Sequence, residues 1–531
     1  MIVTLSYAFV TIDDAPLWLD NIGRYKLRIR KTPYEVKTEK ERKKLEGRKG
    51  KVVPYRFEER TVMERDPADP NRLCFLPGLW PRVKENLDRR GIEYELVDRR
   101  DPAKKPPLDV SAFEGVTFRQ NQDVAIALIA TADCGIIDCS VGFGKTWLIA
   151  LLCKALPTLN IVVTTSSTSV VKTNYEYISH TIPGEVGMLC AGTDTTYKKR
   201  VIVTTLKSLP KLMTSNVDLL LVDECHDAAS EKAAEAISQF YFSRRFGFSA
   251  SPVRNDGSGI VMEALFGPII MQMSYDEAVD AGMVTPMKYT MLPCKWCPQF
   301  VRETKDVPDF LLKRYSYWAN KARNKAIANF MYDLRKVSDA QTLIMVGTLE
   351  HAIQLNLLMP WLVVAYYGNS NMEDLRKRFP KEKYPDLDLN KYKMNQKQLD
   401  ITRKAFAKGT LKWVVSTFVF RQGVNFRHLK CLIRADGTTS AVAGIQIPGR
   451  LSRLDEGKDC AYLVDFNDTF SDWAARRSEA RAKLYQEQGW KEISREELLN
   501  DLRTKPDDEP DDAPGTSSAE AGYPEPVDET E

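Results

Sequence analysis

From Phe118 onward, short apolar runs alternate with stretches of helical period, the pattern of a parallel α/β sheet whose strands are buried on both faces. The first series predicts strands at Gly135–Cys139, Ile161–Thr165, Val201–Thr204, Leu219–Val222 and Phe246–Ser249. A second series predicts Thr342–Val346, Val363–Tyr366, Trp413–Ser416, Lys430–Arg434 and Ala461–Asp465. In each series the strands give way to polar residues at their ends, where α/β sheets place ligands. The fold class is therefore α/β, with two tandem parallel-sheet domains joined near Gly282–Pro286.

The chain before residue 100 follows a different pattern. Arg24–Lys51 holds 13 Lys or Arg against 4 Glu, interleaved with Tyr25, Leu27 and Tyr34. The turn-forming Leu76–Pro81 follows, then an amphipathic stretch to Tyr94. These features predict a small α+β accessory domain ending at a Pro-rich linker, Asp101–Pro107. Met372–Gln398 is charged and weakly periodic, a helix–loop elaboration. From Pro506 the chain is rich in Pro, Asp, Glu and Ser, the composition of a disordered acidic tail. The predicted division is 1–100 accessory domain, its basic run expected either to contact duplex or branched DNA or to be a solvated charged face, 101–283 first sheet domain, 284–470 second sheet domain, 471–505 helical segment and 506–531 tail.

Composition sharpens this picture. With 43% hydrophobic and 28% charged residues in 531, the chain has material for about three soluble domains. No apolar run approaches the roughly 18–20 residues that span a bilayer. The N-terminus lacks a charged region ahead of its apolar run, so no secretory signal is expected. The expected location is the cytoplasm, a host's if the protein is viral. Cysteines such as Cys153, Cys431 and Cys460 sit in apolar segments and read as reduced core thiols. Cys294 and Cys297 form a lone C-x-x-C with no second pair nearby, so structural zinc is not expected. Trp296, Trp318 and Tyr315 read as core. The net charge of +4 conceals an asymmetry: the last 26 residues carry ten Asp or Glu and no Lys or Arg, leaving +14 on the rest. A basic body suits a polyanion partner, and the tail suits either solubility or a protein partner.

Three short motifs carry the chemistry. Gly142-Phe143-Gly144-Lys145-Thr146 fits the end of a phosphate loop. Its glycines allow the tight turn, Lys145 would reach the β- and γ-phosphates, Thr146 would ligate Mg²⁺, and Val141 and Phe143 are further expected nucleotide-binding positions of the loop. Asp223-Glu224-Cys225-His226 ends an apolar strand. Asp223 suits a Mg²⁺ contact, Glu224 suits orienting and deprotonating water, and His226 suits sensing the γ-phosphate or bridging to the next motif. Gln446-Ile447-Pro448-Gly449-Arg450-Leu451-Ser452-Arg453 offers two arginines to a phosphate.

The ordered set of motifs resembles superfamily 2 helicases and translocases from about Phe118 to Phe466. Among these the chain looks most like the UvsW-type phage helicases, relatives of the RecG and restriction-translocase group. The resemblance implies two RecA-like domains using ATP and Mg²⁺. It assigns Arg119 and Gln122 to adenine, and Gln446, Arg450 and Arg453 to hydrolysis. Gly423 and Asn425, in Gln422-Gly423-Val424-Asn425, fall to nucleotide coupling. Ser249-Ala250-Ser251-Pro252-Val253-Arg254 resembles the S-A-T-P coupling motif, with Ser249, Ser251 and Arg254 near nucleic acid. Thr165, Thr204, Thr205 and Thr417 are the implied phosphate-backbone contacts. Leu265–Pro268 and Ala281–Pro286 resemble the passage into the second domain. Three positions depart from the pattern: Cys139 replaces Gly or Ala, Ser251 replaces Thr, and Asn425 replaces Asp. The implied function is ATP-dependent unwinding or branch migration of forked or branched DNA. Duplex translocation without strand separation, an RNA substrate and an idle binding scaffold are the alternatives.

Overall fold

The computed structural model describes residues 1–504 apart from 33–34, 36–37, 40–54, 140–141, 191, 197, 214–215, 242, 251–256, 299–308, 367–371, 418–425, 440–448 and 450. The chain divides into two compact units, Met1–Glu277 and Ala278–Glu531.

The first unit opens with β1 (Ile2–Leu5), β2 (Val10–Asp13), β3 (Arg24–Arg30), β4 (Tyr55–Thr61), β5 (Met63–Asp66), β6 (Asp69–Phe75), helix α1 (Trp80–Arg89) and β7 (Glu95–Asp98). Five of these strands form a sheet in the order β5-β6-β2-β1-β7, while β3 and β4 pair separately as a ribbon. Alternate residues of the sheet, Val3, Leu5, Val10, Ile12, Leu73 and Phe75, meet Val83 and Leu87, one turn apart on α1.

This module is built into the first parallel sheet rather than set apart from it. Ala264 belongs to its core. A side chain at Gly78 would come within 2.1 Å of the Glu263 carbonyl, so only glycine permits the approach. Arg82 grips the Glu263 carboxylate through two nitrogens, at 2.7 and 2.6 Å. The stretch read as a linker is packed too. Lys104 is buried against Asp218 at 2.8 Å, and its carbonyl accepts from Arg244 Nη1 at 3.0 Å. The buried Arg244 and the carboxylate of Asp218 supply partners for this polar segment, contacts that composition does not reveal.

The parallel sheet itself comprises α2 (Gln122–Thr131), β8 (Cys134–Cys139), α3 (Lys145–Ala155), β9 (Ile161–Thr165), α4 (Thr168–Thr181), β10 (Val186–Cys190), β11 (Thr193–Asp194), β12 (Val201–Thr205), β13 (Leu219–Asp223), α5 (Glu231–Ser238), β14 (Arg244–Ser249), α6 (Gly259–Phe266) and β15 (Ile269–Met273). Strand order is β11-β10-β12-β9-β13-β14-β8-β15, parallel except for the β10–β11 hairpin. All five strands predicted for this domain are present. β10 and β15 were not foreseen: Gly187 interrupts one apolar run, and the other is an edge strand with two exposed positions.

The second unit contains β16 (Met287–Cys294), α7 (Lys321–Val337), β17 (Thr342–Met345), α8 (Leu349–Leu358), β18 (Val363–Ala365), α9 (Gln396–Ala407), β19 (Trp413–Ser416), β20 (Cys431–Arg434), β21 (Ala461–Asp468), α10 (Asp472–Glu487), β22 (Lys491–Glu492) and α11 (Arg495–Asp501). Its described strands run parallel in the order β18-β19-β17-β20-β21-β16-β22. β16, whose Thr290 and Pro293 disguise it in the sequence, pairs along its whole length with β21. The helices after residue 470 pack on this sheet: Arg481 and Tyr485 of α10 bond the Asp465 carboxylate at 2.8 and 2.6 Å. Trp296, expected in the core, is 67% exposed. The flanking Cys294 and Cys297 turn inward instead, with the Cys297 thiol donating to the Tyr315 carbonyl at 3.3 Å. No helix among the described residues is long and apolar enough to cross a membrane.

Candidate active site

The ends of β8, β13 and β14 bring the first unit's polar motifs together. These strands are neighbours in the order β13-β14-β8, so residues far apart in sequence emerge side by side. After β8 the backbone turns through Gly142 and Gly144, at φ 104° and 91°, conformations that L side chains rarely adopt. A Cβ on Gly144 would also meet the Gln122 amide at 2.9 Å. Lys145 opens α3 and donates from Nζ to the Cys139 carbonyl at 2.9 Å. Thr146 is half-buried in the same first turn.

Gln122 stands against this loop. Its carbonyl oxygen accepts from the Arg119 N–H at 2.9 Å, and its amide donates to the Phe143 carbonyl at 2.6 Å. Arg119 is exposed. The R-x-x-Q element is thus tied to the phosphate loop through the fold itself.

Asp223 is the last residue of β13 and is only 5% exposed. Burial, reinforced by the charge of Glu224, pushes its carboxyl up from 3.8 to about 6. Asn174 donates to it at 3.2 Å and the Glu224 N–H at 3.1 Å, and among the described residues it has no ion pair. Glu224 adopts the left-handed region at φ 55°, a strained turn for a non-glycine residue. Its carboxylate lies 3.4 Å from His226 Nδ1, which also shares a hydrogen bond with Ser249 Oγ at 3.1 Å. The acidic motif and the end of β14 are therefore directly joined.

Several of the expected nucleic-acid contacts face inward. Ser249 and Thr204 are fully buried, and Thr204 donates its hydroxyl to the Leu189 carbonyl at 2.8 Å. Thr165 is 1% exposed. Thr205 caps the following turn through Ser208. Thr417 follows β19 and is 8% exposed. In the second unit, the Thr285 N–H donates to the Ser452 carbonyl at 2.6 Å and Lys458 Nζ to the Arg453 carbonyl at 3.1 Å, bracing the half-buried Arg453. Val141, Ser251, Arg254, Gly423, Asn425, Gln446 and Arg450 lie outside the described residues, as does the 506–531 tail.

One partner of this site escaped sequence reasoning. Asn174 lies on the buried face of α4 between Val171 and Ile178, a polar residue among apolar ones at helical spacing. That spacing was the available signal.

The comparisons with known proteins agree with the geometry. Residues 115–254 match the model of the type III restriction enzyme res subunit. "Probable helicase D10" of Escherichia phage T5 is 22% identical over 419 residues, 77% of this chain and 83% of that one. "ATP-dependent DNA helicase uvsW" of Enterobacteria phage T4 is 23% identical over 308 residues, 56% of each chain. The first two curated relatives are covered over only 43% and 36% of their own lengths. In fold, the chain is similar to Saccharomyces cerevisiae Dbp5, solved bound to RNA and ADP BeF3, with TM-score 0.50 and 13% identity over 74% of this chain and 95% of that one. Tandem parallel sheets, a matched restriction-enzyme-type segment and phage helicase relatives are what the chain has in common with superfamily 2 helicases, to which it is similar.

Proposed function

We propose that the chain is an ATP-dependent helicase or translocase acting on DNA, forked or branched DNA above all. The observation that carries this is the convergence of Lys145, Asp223, Glu224 and His226 at adjacent strand ends, with Gln122 bonded to the phosphate loop. Phosphoryl transfer to water calls chiefly for positioning and charge neutralisation, which these residue types supply. Lys145 binds the β- and γ-phosphates, and Glu224 orients the attacking water and takes its proton. His226 relays the state of Glu224 to Ser249.

The residues also fit a magnesium ion. Asp223 is a buried carboxylate raised by its own surroundings, and a divalent cation would relieve that unfavourable charge. Asp223 and Thr146 would hold the ion, which supplies charge neutralisation at the phosphates. Gln446, Arg450 and Arg453 are assigned to the phosphates on the strength of the motif alone. Arg453→Ala, with nucleotide binding kept and turnover lost, is the outcome that assignment requires.

The test of the whole reading is steady-state ATP hydrolysis with no nucleic acid, single-stranded DNA, duplex, forked DNA and RNA. Strongest stimulation by forked DNA supports it. Equal stimulation by plain duplex makes the chain a duplex translocase, RNA-only stimulation moves the substrate class, and no hydrolysis at all leaves a binding scaffold.

A further inference from the structure

The β3–β4 ribbon has two chemically different faces. Strand pairing sets Arg24 opposite Thr61, Lys26 opposite Glu59 and Arg28 opposite Phe57, so these six share one face. All six are exposed. The other face carries Tyr25, Leu27 and Ile29, which are half-buried. The ribbon is anchored to the first parallel-sheet domain. A Cβ on Gly257 would fall 2.2 Å from the Lys26 carbonyl, and Arg60 reaches Glu231, the first residue of α5, at 3.7 Å. The outward face is therefore held in a defined place rather than swinging free.

Charges on the ribbon are not evenly compensated. On the half-buried side Arg60 is paired, with Glu58 and Glu231. On the outward side, no described carboxylate pairs with Arg24 or Arg28. Lys26 meets Glu59 at 3.7 Å, but both side chains are at least 70% exposed, and such a pair is weak and easily exchanged. Phe57 stands 66% exposed among these cations, and the Arg28 guanidinium lies 3.9 Å above the Tyr55 ring. A lone exposed Phe is unremarkable. An exposed Phe in register with alternating, largely uncompensated cations presents what an unpaired strand needs: positive charge along its backbone and an aromatic platform for a base.

We propose that the outward face of the β3–β4 ribbon binds an unpaired nucleic-acid strand, with Arg24, Lys26 and Arg28 on phosphates and Phe57 stacked on a base. The anchoring contact sets this surface beside Gly257, five residues after the Ser249–Pro252 motif in sequence, so a strand held here lies next to the segment leaving the coupling motif. The inference rests on the reading of the chain as a nucleic-acid enzyme only for its partner class.

The experiment uses the full chain without nucleotide, titrated into fluorescein-labelled oligothymidylate and into a blunt duplex of equal length across a NaCl series, read by anisotropy. Phe57→Ala should weaken oligothymidylate binding about 5- to 150-fold, the weight of one stacked base, with Phe57→Trp retaining it. The Arg24→Gln, Arg28→Gln double variant should lower the slope of log affinity against log salt by about 0.7 for each phosphate no longer neutralised. Basal ATP hydrolysis should be unchanged in all three. Oligothymidylate affinity unaffected by Phe57→Ala, or an equal loss on duplex, overturns the proposal. Lys145→Ala separates the two readings: it should abolish turnover and leave ribbon binding intact. A chain that hydrolyses ATP normally but shows no ribbon dependence loses this inference alone.

Discussion

Asp223 closes the interior strand β13 of the first unit's parallel sheet, and Asp465 lies in the interior strand β21 of the second unit's sheet. Both are buried, and both would be costly as bare carboxylates. Around Asp465 the cost is met by the fold. Burial pushes its carboxyl up, but Arg481, Arg434 and the Tyr485 hydroxyl outweigh that and hold it below the ordinary carboxylate value. The network continues from Arg481 to Asp468 at 3.2 Å and from Asp468 to Arg323 at 3.0 Å, tying α7 and α10 to β21. Around Asp223, burial and the neighbouring carboxylate Glu224 outweigh the Asn174 hydrogen bond and the charge of Lys145, and the group is pushed up to about 6. A buried acid with its counter-charges built in serves architecture. One left electrostatically unsettled is suited to a charge that arrives with substrate.

That contrast can be broken in order of effect. Glu224→Gln should cut nucleic-acid-stimulated ATP hydrolysis by about 10²–10⁴, the usual weight of a general base, while leaving the thermal unfolding midpoint nearly unchanged. Normal turnover in this variant would remove Glu224 from the chemistry.

Arg481→Met should do the reverse, lowering unfolding stability by about 3–5 kcal/mol by stranding Asp465 and Asp468, with turnover per folded molecule preserved. Urea titration together with active-site counting measures both quantities.

The same substitution at the two acids should change stability with opposite sign. Asp465→Asn should destabilise at neutral pH. Asp223→Asn should stabilise by on the order of 1–2 kcal/mol in Mg²⁺-free buffer while abolishing turnover. Because Asp223 titrates higher in the folded chain than its ordinary 3.8, its contribution is favourable at low pH and is lost as pH rises through about 6. Asp465 titrates lower when folded, so its contribution is present above 3.8 and lost as pH falls through its depressed value. Urea midpoints that move in the same direction for both variants would dissolve the distinction. The smallest expected effect is at Thr204→Val, about 0.5–1.5 kcal/mol of stability for the missing hydrogen bond to Leu189, with DNA affinity unchanged.

Much of this site was legible because its signals are local. The glycines at 142 and 144, the lysine after them and an acidic pair closing an apolar run each state a requirement of backbone geometry or charge within a few residues. Thr204 and Ser249 were harder. A hydroxyl at a strand end reads the same whether it faces a ligand or a carbonyl of the neighbouring strand, and here both are buried. Trp296 misled for a related reason: an aromatic side chain signals a preference for burial, but two adjacent thiols took the inward positions.

The sequence by itself determined the alternation of buried strands and helices and the placing of Lys145 after a glycine turn and of Asp223 and Glu224 at a strand end, because periodicity and tight turns are set by neighbours along the chain. Only tertiary structure decided that the front module shares one unit with the first parallel sheet, that the ribbon turns Arg24, Arg28 and Phe57 outward, and that Asp465 is held below and Asp223 above the ordinary carboxylate value. Those outcomes depend on contacts such as Arg82 with Glu263 and Arg323 with Asp468, made between residues 181 and 145 positions apart, where no local pattern in the chain records the pairing.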